Sequence, residues 1–209
     1  GDSVDVEMRM VEGKPATFNR IVINGNNITN EKVVRRQLWT KPGYLFSQSE
    51  LERSLRDLAS MGHFEPEKIM SPSGYNIMPN YNANTVDVTY NVEEKPNSQL
   101  ELAGGWGGNT FVGTLGLSFN NFSIGRVFKK SSWRPVPLGD GQQLSIRFQT
   151  NGTYYTAFSA SFSEPWLTGK KPTSLNISAY YTRQNNSYYF YQNSGHRMEA
   201  YRLGAGIGT

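Results

Sequence analysis

The spacing of hydrophobic residues changes once along the chain, close to residue 97. Before that point, some apolar residues recur at helical spacing and others alternate with polar residues, as in strands. After it, apolar residues alternate with polar or small residues in segments of about ten, and helical spacing is absent. The pattern predicts an α+β region followed by a region built only of strands.

The pattern in the first region predicts the element order β-α-α-β-β. Glycine and proline turns separate the periodic segments, which are short enough for one small domain. The predicted elements are a strand over residues 17–23, a helix over residues 30–38, a helix that starts after residue 47, and strands over residues 64–70 and 85–93.

The second predicted helix carries the clearest start and stop signals. Ser47 and Glu50 form a capping box, and Gly62 suits the left-handed residue that ends a helix. One face between these signals is apolar, so we expect it to pack on the sheet. The residues of that face are Leu51, Leu55, Leu58 and Met61.

Six alternating segments make up the second region. Such segments are typical of a transmembrane β-barrel, and on periodicity alone a soluble β-sandwich is the alternative. Six strands are too few to close a barrel, so we expect the first part of one. The predicted strands cover residues 99–107, 111–120, 142–150, 154–163 and 174–183, and the sixth begins near residue 197.

An internal repeat indicates where the modules begin and end. The stretch VDVEMRMVEGKP over residues 4–15 is echoed by VDVTYNVEEKP over residues 86–96. We therefore expect residues 1–15 to be the last strand of a preceding module, residues 16–96 a complete module, and residues 97–209 the barrel part. Charge supports the division: residues 1–97 have a net charge of −2, and residues 98–209 one of +6.

Composition argues against several functional classes. The chain has no cysteine, so a disulfide framework or a cysteine-based metal site is not expected. The cations of the basic half are scattered, which argues against nucleic acid as a partner. His63 and His196 are isolated from other catalytic residue types, so we predict neither an enzyme nor a cofactor. The N-terminus lacks the basic start and apolar core of a signal peptide.

The first region resembles a POTRA domain. The resemblance covers residues 18–95 and rests on INGNNIT, VVRRQL, KPGYLFSQSELERSLRDLASMGHFE and VDVTYNVEEK, in this order. It implies an α+β POTRA domain that lies in the periplasm.

The second region then resembles the barrel of the BamA family of outer-membrane insertases. The resemblance rests on NFSIGR over residues 121–126 and SFSEPWL over residues 161–167. It implies an antiparallel transmembrane β-barrel in the bacterial outer membrane, with nascent outer-membrane β-barrel proteins, accessory periplasmic or lipoprotein subunits and outer-membrane lipid as partners. A POTRA-containing polypeptide transporter and a soluble β-sandwich binding protein are the alternatives.

Three candidate sites follow from the resemblance. The first barrel strand is expected to form the seam at which client strands enter: Gln99, Leu100, Glu101, Leu102, Ala103, Gly104, Gly105, Trp106 and Gly107. An edge strand of the POTRA sheet is expected to guide clients by strand addition: Phe64, Glu65, Glu67, Lys68, Ile69 and Met70. A long periplasmic turn is expected to dock an accessory protein: Lys129, Lys130, Trp133 and Arg134.

Overall fold

A computed structural model describes residues 6–9, 13–96, 98–107, 110–133, 136–152, 154–169, 171–185 and 199–208. The described elements form two sheets. In chain order the elements are β1 (Thr17–Asn24), α1 (Glu31–Arg35), α2 (Gln48–Ser60), α3 (Pro66–Met70), β2 (Tyr75–Asn80), β3 (Thr85–Asn91), β4 (Ser98–Gly107), β5 (Thr110–Phe122), β6 (Gln142–Asn151), β7 (Tyr155–Glu164), β8 (Leu175–Asn185) and β9 (Glu199–Gly208). Two 3₁₀ helices, Ile124–Arg126 and Lys130–Ser132, lie between β5 and β6.

The first sheet has the strand order β1-β3-β2, with β1 parallel and β2 antiparallel to β3. Because side chains alternate along a strand, β3 buries every second residue against the helices. One apolar core results. Its most deeply buried large side chains are Phe18, Val34, Leu51, Leu58, Phe64, Ile69, Val88 and Tyr90.

The start and apolar face predicted for α2 are confirmed. The Ser47 side chain accepts a hydrogen bond from the backbone N–H of Glu50. Gly62 has a φ of 73°, the left-handed conformation that favours glycine after a helix. Leu51, Leu55 and Leu58 are buried, so this face holds the helix on the sheet.

The prediction of a strand over residues 64–70 is wrong. Pro66–Met70 is the helix α3, and Phe64 makes only an isolated bridge with Glu94. The physical reason is Pro66, whose fixed φ suits the first turn of a helix and whose missing N–H is unpaired there anyway. The second strand of the domain is instead β2, which the polar sequence YNIMPN concealed.

The second sheet is an antiparallel meander in the order β4-β5-β6-β7-β8-β9. All six predicted strands are confirmed, with ends that differ by a few residues. The register aligns residues of one kind across the whole sheet. One such row consists of Leu102, Leu115, Phe148, Phe158, Tyr181 and Leu203.

The two faces of this sheet differ in chemistry. The row of large apolar residues stands on one face, where Leu102 is 71% and Leu203 82% exposed. Arg147 and Arg202 stand on the opposite face, among serine, threonine and glycine. No second layer covers the apolar face within the described part of the chain. No described helix is long and apolar enough to cross a membrane.

The N-terminal segment has no strand within its described residues, 6–9 and 13–15. The other residues before residue 16 lie outside the description. Its assignment to a preceding module stays a prediction.

Candidate functional site

The predicted seam strand is β4, which lies at one edge of the six-stranded sheet. Ten consecutive residue pairs, from Ser98–Phe119 to Gly107–Thr110, join it to β5. Within the described residues no strand pairs with its other edge. That edge therefore carries backbone amides and carbonyls that can receive a further strand.

Glycines of β4 have two different surroundings. A Cβ on Gly104 would lie 3.1 Å from the Phe111 ring, and one on its partner Gly113 would lie 2.6 Å from it. This pair therefore makes room for Phe111. A Cβ on Gly105 would meet no atom within 4 Å. Weak side-chain packing of the seam strand thus rests on Gly105, whereas Gly104 is explained by the aromatic ring.

An ion pair on the polar face connects β4 to β6. Arg147 donates to the carboxylate of Glu101 at 2.9 Å. These residues are two strands apart, and Gly116 of β5 lies between them in register. Because glycine has no side chain, the carboxylate and guanidinium meet above it. The pair is half-exposed, so it adds at most about 1 kcal/mol to the pairing of the first three strands.

The β5–β6 turn is held against the POTRA domain by a polar network, which we call the junction. It consists of Thr29, Asn30, Lys32, Asn121, Ser123, Arg126 and Asp140. Asn121 donates to the Thr29 hydroxyl at 2.8 Å and accepts from the backbone N–H of Gly141 at 2.9 Å. Thr29 and Asn121 are buried. The two domains are thus joined by a hydrogen bond that is shielded from water.

Asp140 is the most connected residue of the junction. Asn30 donates to it at 2.6 Å, the Lys32 ammonium lies 3.1 Å away, and Ser123 donates to its other oxygen. Burial by itself raises the pKa of Asp140, but these hydrogen bonds and the Lys32 charge outweigh it and leave the pKa below the ordinary value. The carboxylate is therefore ionised throughout the neutral range.

A second contact between the domains lies beside the junction. The Arg36 guanidinium lies 5.2 Å from the centre of the Trp166 ring in the β7–β8 turn. The Glu164 carboxylate accepts a hydrogen bond from the backbone N–H of Trp166 at 2.9 Å. Its other oxygen accepts one from the Gln142 side chain at 2.7 Å, which holds the carboxylate in place. The glutamate and tryptophan of the SFSEPWL motif thus act together in domain contact.

Close by, His63 is buried at the edge of the POTRA core. Desolvation, reinforced by the charge of Arg36 and opposed by Glu94, lowers the pKa of His63 to about 4. Its imidazole is neutral at pH 7. No three histidine, cysteine or carboxylate side chains of the described residues form a group that could hold a metal ion.

The far end of the β5–β6 turn makes no part of the junction. We call it the tip: Ile124, Phe128, Lys129, Lys130 and Trp133, all of which are exposed. Three predicted docking residues, Lys129, Lys130 and Trp133, belong to the tip. The fourth, Arg134, lies outside the described residues. Docking of an accessory protein here stays a prediction.

The predicted POTRA edge residues do not form an edge strand. Glu67, Lys68, Ile69 and Met70 lie in α3, and Ile69 is buried in the core. The sheet edge on this side is β2, which includes Pro79. Proline is tolerated in edge strands because its missing amide need not pair.

Sequence reasoning missed the junction. Its residues come from two distant parts of the chain, and no local periodicity connects Asn30 with Asp140. The closing VEEK motif offered a partial signal. Glu94 accepts from the backbone N–H groups of Ile28 and Thr29 at 2.8 and 2.5 Å, so it orders the loop that presents the junction.

Comparison with known proteins agrees with this architecture. The POTRA model, described as a surface antigen variable number repeat, matches residues 16–95, and the Omp85 superfamily domain matches residues 137–209. The chain is 26% identical over 172 residues to a putative outer membrane protein assembly factor of Treponema pallidum, and 26% identical over 168 residues to the outer membrane protein assembly factor BamA of Neisseria meningitidis. These matches cover 82% and 79% of the chain but 18% of each relative.

A solved structure shows the same fold. BamA from Haemophilus ducreyi lacking POTRA domains 1–3 superposes with a TM-score of 0.65 at 20% identity, over 93% of this chain and 32% of that one. The fold and the matched domains define an outer-membrane protein that combines a periplasmic POTRA domain with barrel strands of the Omp85 type. In both regions the chain is similar to outer membrane protein assembly factors of the BamA family.

Proposed function

We propose that this protein assembles outer-membrane β-barrel proteins by pairing client strands with the exposed edge of β4. The observation that carries the proposal is the position of β4 at the sheet edge, paired on one side only within the described residues. The relatives named as outer membrane protein assembly factors support the same general role.

Strand addition would both align a client strand and supply the free energy for its insertion. Within hydrocarbon, an unpaired backbone amide or carbonyl is costly, so a client strand gains by hydrogen bonding to β4 as it enters. Leu100 and Leu102 continue the apolar face to this edge, where they are largely exposed. A client with the same alternation would extend that face into lipid without a break.

The POTRA domain offers a second edge, β2. Its outer side is unpaired within the described residues, whereas its inner side pairs with β3 over six residues. We propose that β2, rather than the segment around α3, receives an extended client segment in the periplasm. The junction holds this domain against the periplasmic end of β5 and β6.

Site-directed cross-linking tests the proposal. Single cysteines at Leu100 and Leu102 are placed in the full-length protein, and a client arrested during assembly carries one cysteine in its terminal strand. The matched control is a cysteine at Phe158, which faces the same way but lies on β7, paired on both sides. We expect disulfides to the client at Leu100 and Leu102, and none at Phe158.

The same set of variants distinguishes an insertase from a transporter. A client that crosses through the lumen would contact the polar face, so a cysteine at Gln149 would cross-link and those at the β4 edge would not. That outcome would contradict templating at the seam. As a functional check, Leu102→Pro should block client insertion while the POTRA domain still folds, because proline removes a backbone donor from β4.

A further inference from the structure

The tip of the β5–β6 turn exposes large apolar side chains that are not packed into either domain core. Phe128 is 96% exposed, and Ile124 and Trp133 are about half-exposed. Exposed apolar groups that cluster on a surface mark contact with a partner or a membrane. The tip is therefore a candidate contact surface for a partner or a membrane.

The turn is built to present these side chains rigidly. Its base is closed by backbone hydrogen bonds from Ser123 to Pro137 and from Gly139 to Asn121. The indole N–H of Trp133 donates to the backbone oxygen of Val127 at 3.0 Å, so the ring is tied to the backbone of the same turn. A fixed presentation lowers the entropy lost when the tip binds.

The charge of the turn favours a polyanionic surface. Lys129 and Lys130 are exposed beside Phe128, and residues 122–139 contain no aspartate or glutamate. The neighbouring β7–β8 turn has the same composition: Leu167 and Lys171 are exposed, and residues 165–174 contain no carboxylate. Stretches such as residues 122–139 and 165–174, which hold apolar and cationic residues but no acids, are typical of segments that lie in a lipid headgroup layer.

The position of both turns agrees with that occupant. They lie at the end of the sheet that contacts the POTRA domain, through Asp140 in one turn and Trp166 in the other. The apolar face also reaches this end, where the rings of Phe122 and Phe162 pack edge to face with their centres 6.4 Å apart. The tip thus lies at the same end of the sheet as these rings.

We propose that the tip is a membrane anchor that lies in the periplasmic leaflet, with Phe128 among the upper acyl chains and Lys129 and Lys130 on anionic headgroup phosphates. The anchor fixes the height of the junction, and with it the POTRA domain, relative to the membrane surface. This inference rests on the orientation of the strands in the membrane and not on the proposed templating by β4.

Fluorescence quenching in proteoliposomes tests the anchor. A single cysteine replaces Phe128 in the full-length protein, is labelled with an environment-sensitive dye, and is reconstituted with lipids that carry a nitroxide on the headgroup. The control position is Tyr81, which is 85% exposed on the POTRA domain. We expect a blue-shifted emission and strong quenching at residue 128, and neither at residue 81.

Headgroup preference supplies the second measurement. Nitroxide-labelled phosphatidylglycerol should quench the dye at residue 128 more than labelled phosphatidylcholine does. The double substitution Lys129→Gln and Lys130→Gln should remove this preference, because each lysine strengthens binding to an anionic lipid surface about fivefold. Water-like emission at residue 128 in the vesicles would overturn the anchor. So would emission that becomes blue-shifted only when a second polypeptide is added, because the occupant is then a protein.

Discussion

Two glycines of the POTRA domain have a positive φ but different surroundings. Gly25 follows the strand β1, and Gly62 follows the helix α2. Gly25 has a φ of 96°, and a Cβ there would lie 1.8 Å from the backbone oxygen of Val92. Gly62 has a φ of 73°, but a Cβ there would meet no atom within 4 Å.

We predict that Gly25→Ala destabilises the domain far more than Gly62→Ala. Alanine at Gly62 bears only the left-handed strain of about 1–2 kcal/mol, whereas alanine at Gly25 must also push the β3 end away from β1. Denaturant unfolding of both variants measures the difference. Equal losses would show that the turn at Gly25 relaxes freely and that its close approach to Val92 is unimportant.

His63 gives a prediction about pH. Its pKa of about 4 lies below the ordinary 6.5, so the unfolded chain binds a proton that the folded chain does not between these values. Stability should therefore fall as the pH drops from about 6.5 to 4, and not fall further from this cause below 4. NMR titration of the imidazole measures the pKa directly, and Arg36→Gln should raise it by removing a nearby charge. A wild-type value near 6.5 would contradict the buried environment.

At the scale of elements, the strands of the second sheet were predictable because burial, lipid and backbone pairing all impose the same period of two. The register of β4 to β9 then follows, since a shift of one residue would move every apolar side chain to the polar face. The strand β2 was not predictable in this way. Its residues are mostly exposed, so no buried face marks the alternation, and Pro79 weakens the signal further.

The ion pair over β5 yields a prediction for this sheet. Gly116→Ala should displace Glu101, because its Cβ would lie 3.1 Å from a carboxylate oxygen, whereas Gly105→Ala projects into open space on the same face. We expect the thermal unfolding temperature of the full-length protein to fall for Gly116→Ala and to change little for Gly105→Ala. An equal effect of the two substitutions would mean that the contact between Glu101 and Arg147 does not order these strands.

At the scale of the whole molecule, the junction decides how the POTRA domain sits on the barrel. Asp140→Asn removes the charge that Lys32 faces and weakens the acceptor for Asn30 and Ser123. We expect the distance distribution between spin labels on the two domains to broaden, as measured by pulsed electron resonance. The control is Asp87→Asn, which affects a carboxylate bound only within the POTRA sheet and should leave the distribution narrow.

The pH dependence of the junction follows from the same carboxylate. Because the pKa of Asp140 is depressed, its contribution is complete above its ordinary value of 3.8 and is lost as the pH falls through the lowered value. The distribution should therefore stay narrow from neutral pH to about 4. Broadening near pH 6 would indicate that another group holds the domains together.

How far the sequence predicts the molecule depends on the range of the interaction. Local signals located α2, from its Ser47 cap to Gly62, and every strand of the second sheet. The strand on which the predicted seam lies, β4, was located for the same reason, while its role as a seam stays a prediction. The junction depends on contacts between residues about 90 to 110 positions apart, such as Asn121 with Thr29, and nothing local to either residue announces them.

The central claim concerns the second sheet: its apolar face lies in lipid and its polar face lies in water. A nitroxide scan along β6, at each residue from 144 to 149 in the reconstituted full-length protein, tests it most directly. We predict that nitroxides at positions 144, 146 and 148 collide mainly with oxygen, which dissolves in lipid. Nitroxides at positions 145, 147 and 149 should collide mainly with a water-soluble nickel complex. If the three apolar positions are shielded from both reagents, a second layer of protein covers them and the account fails.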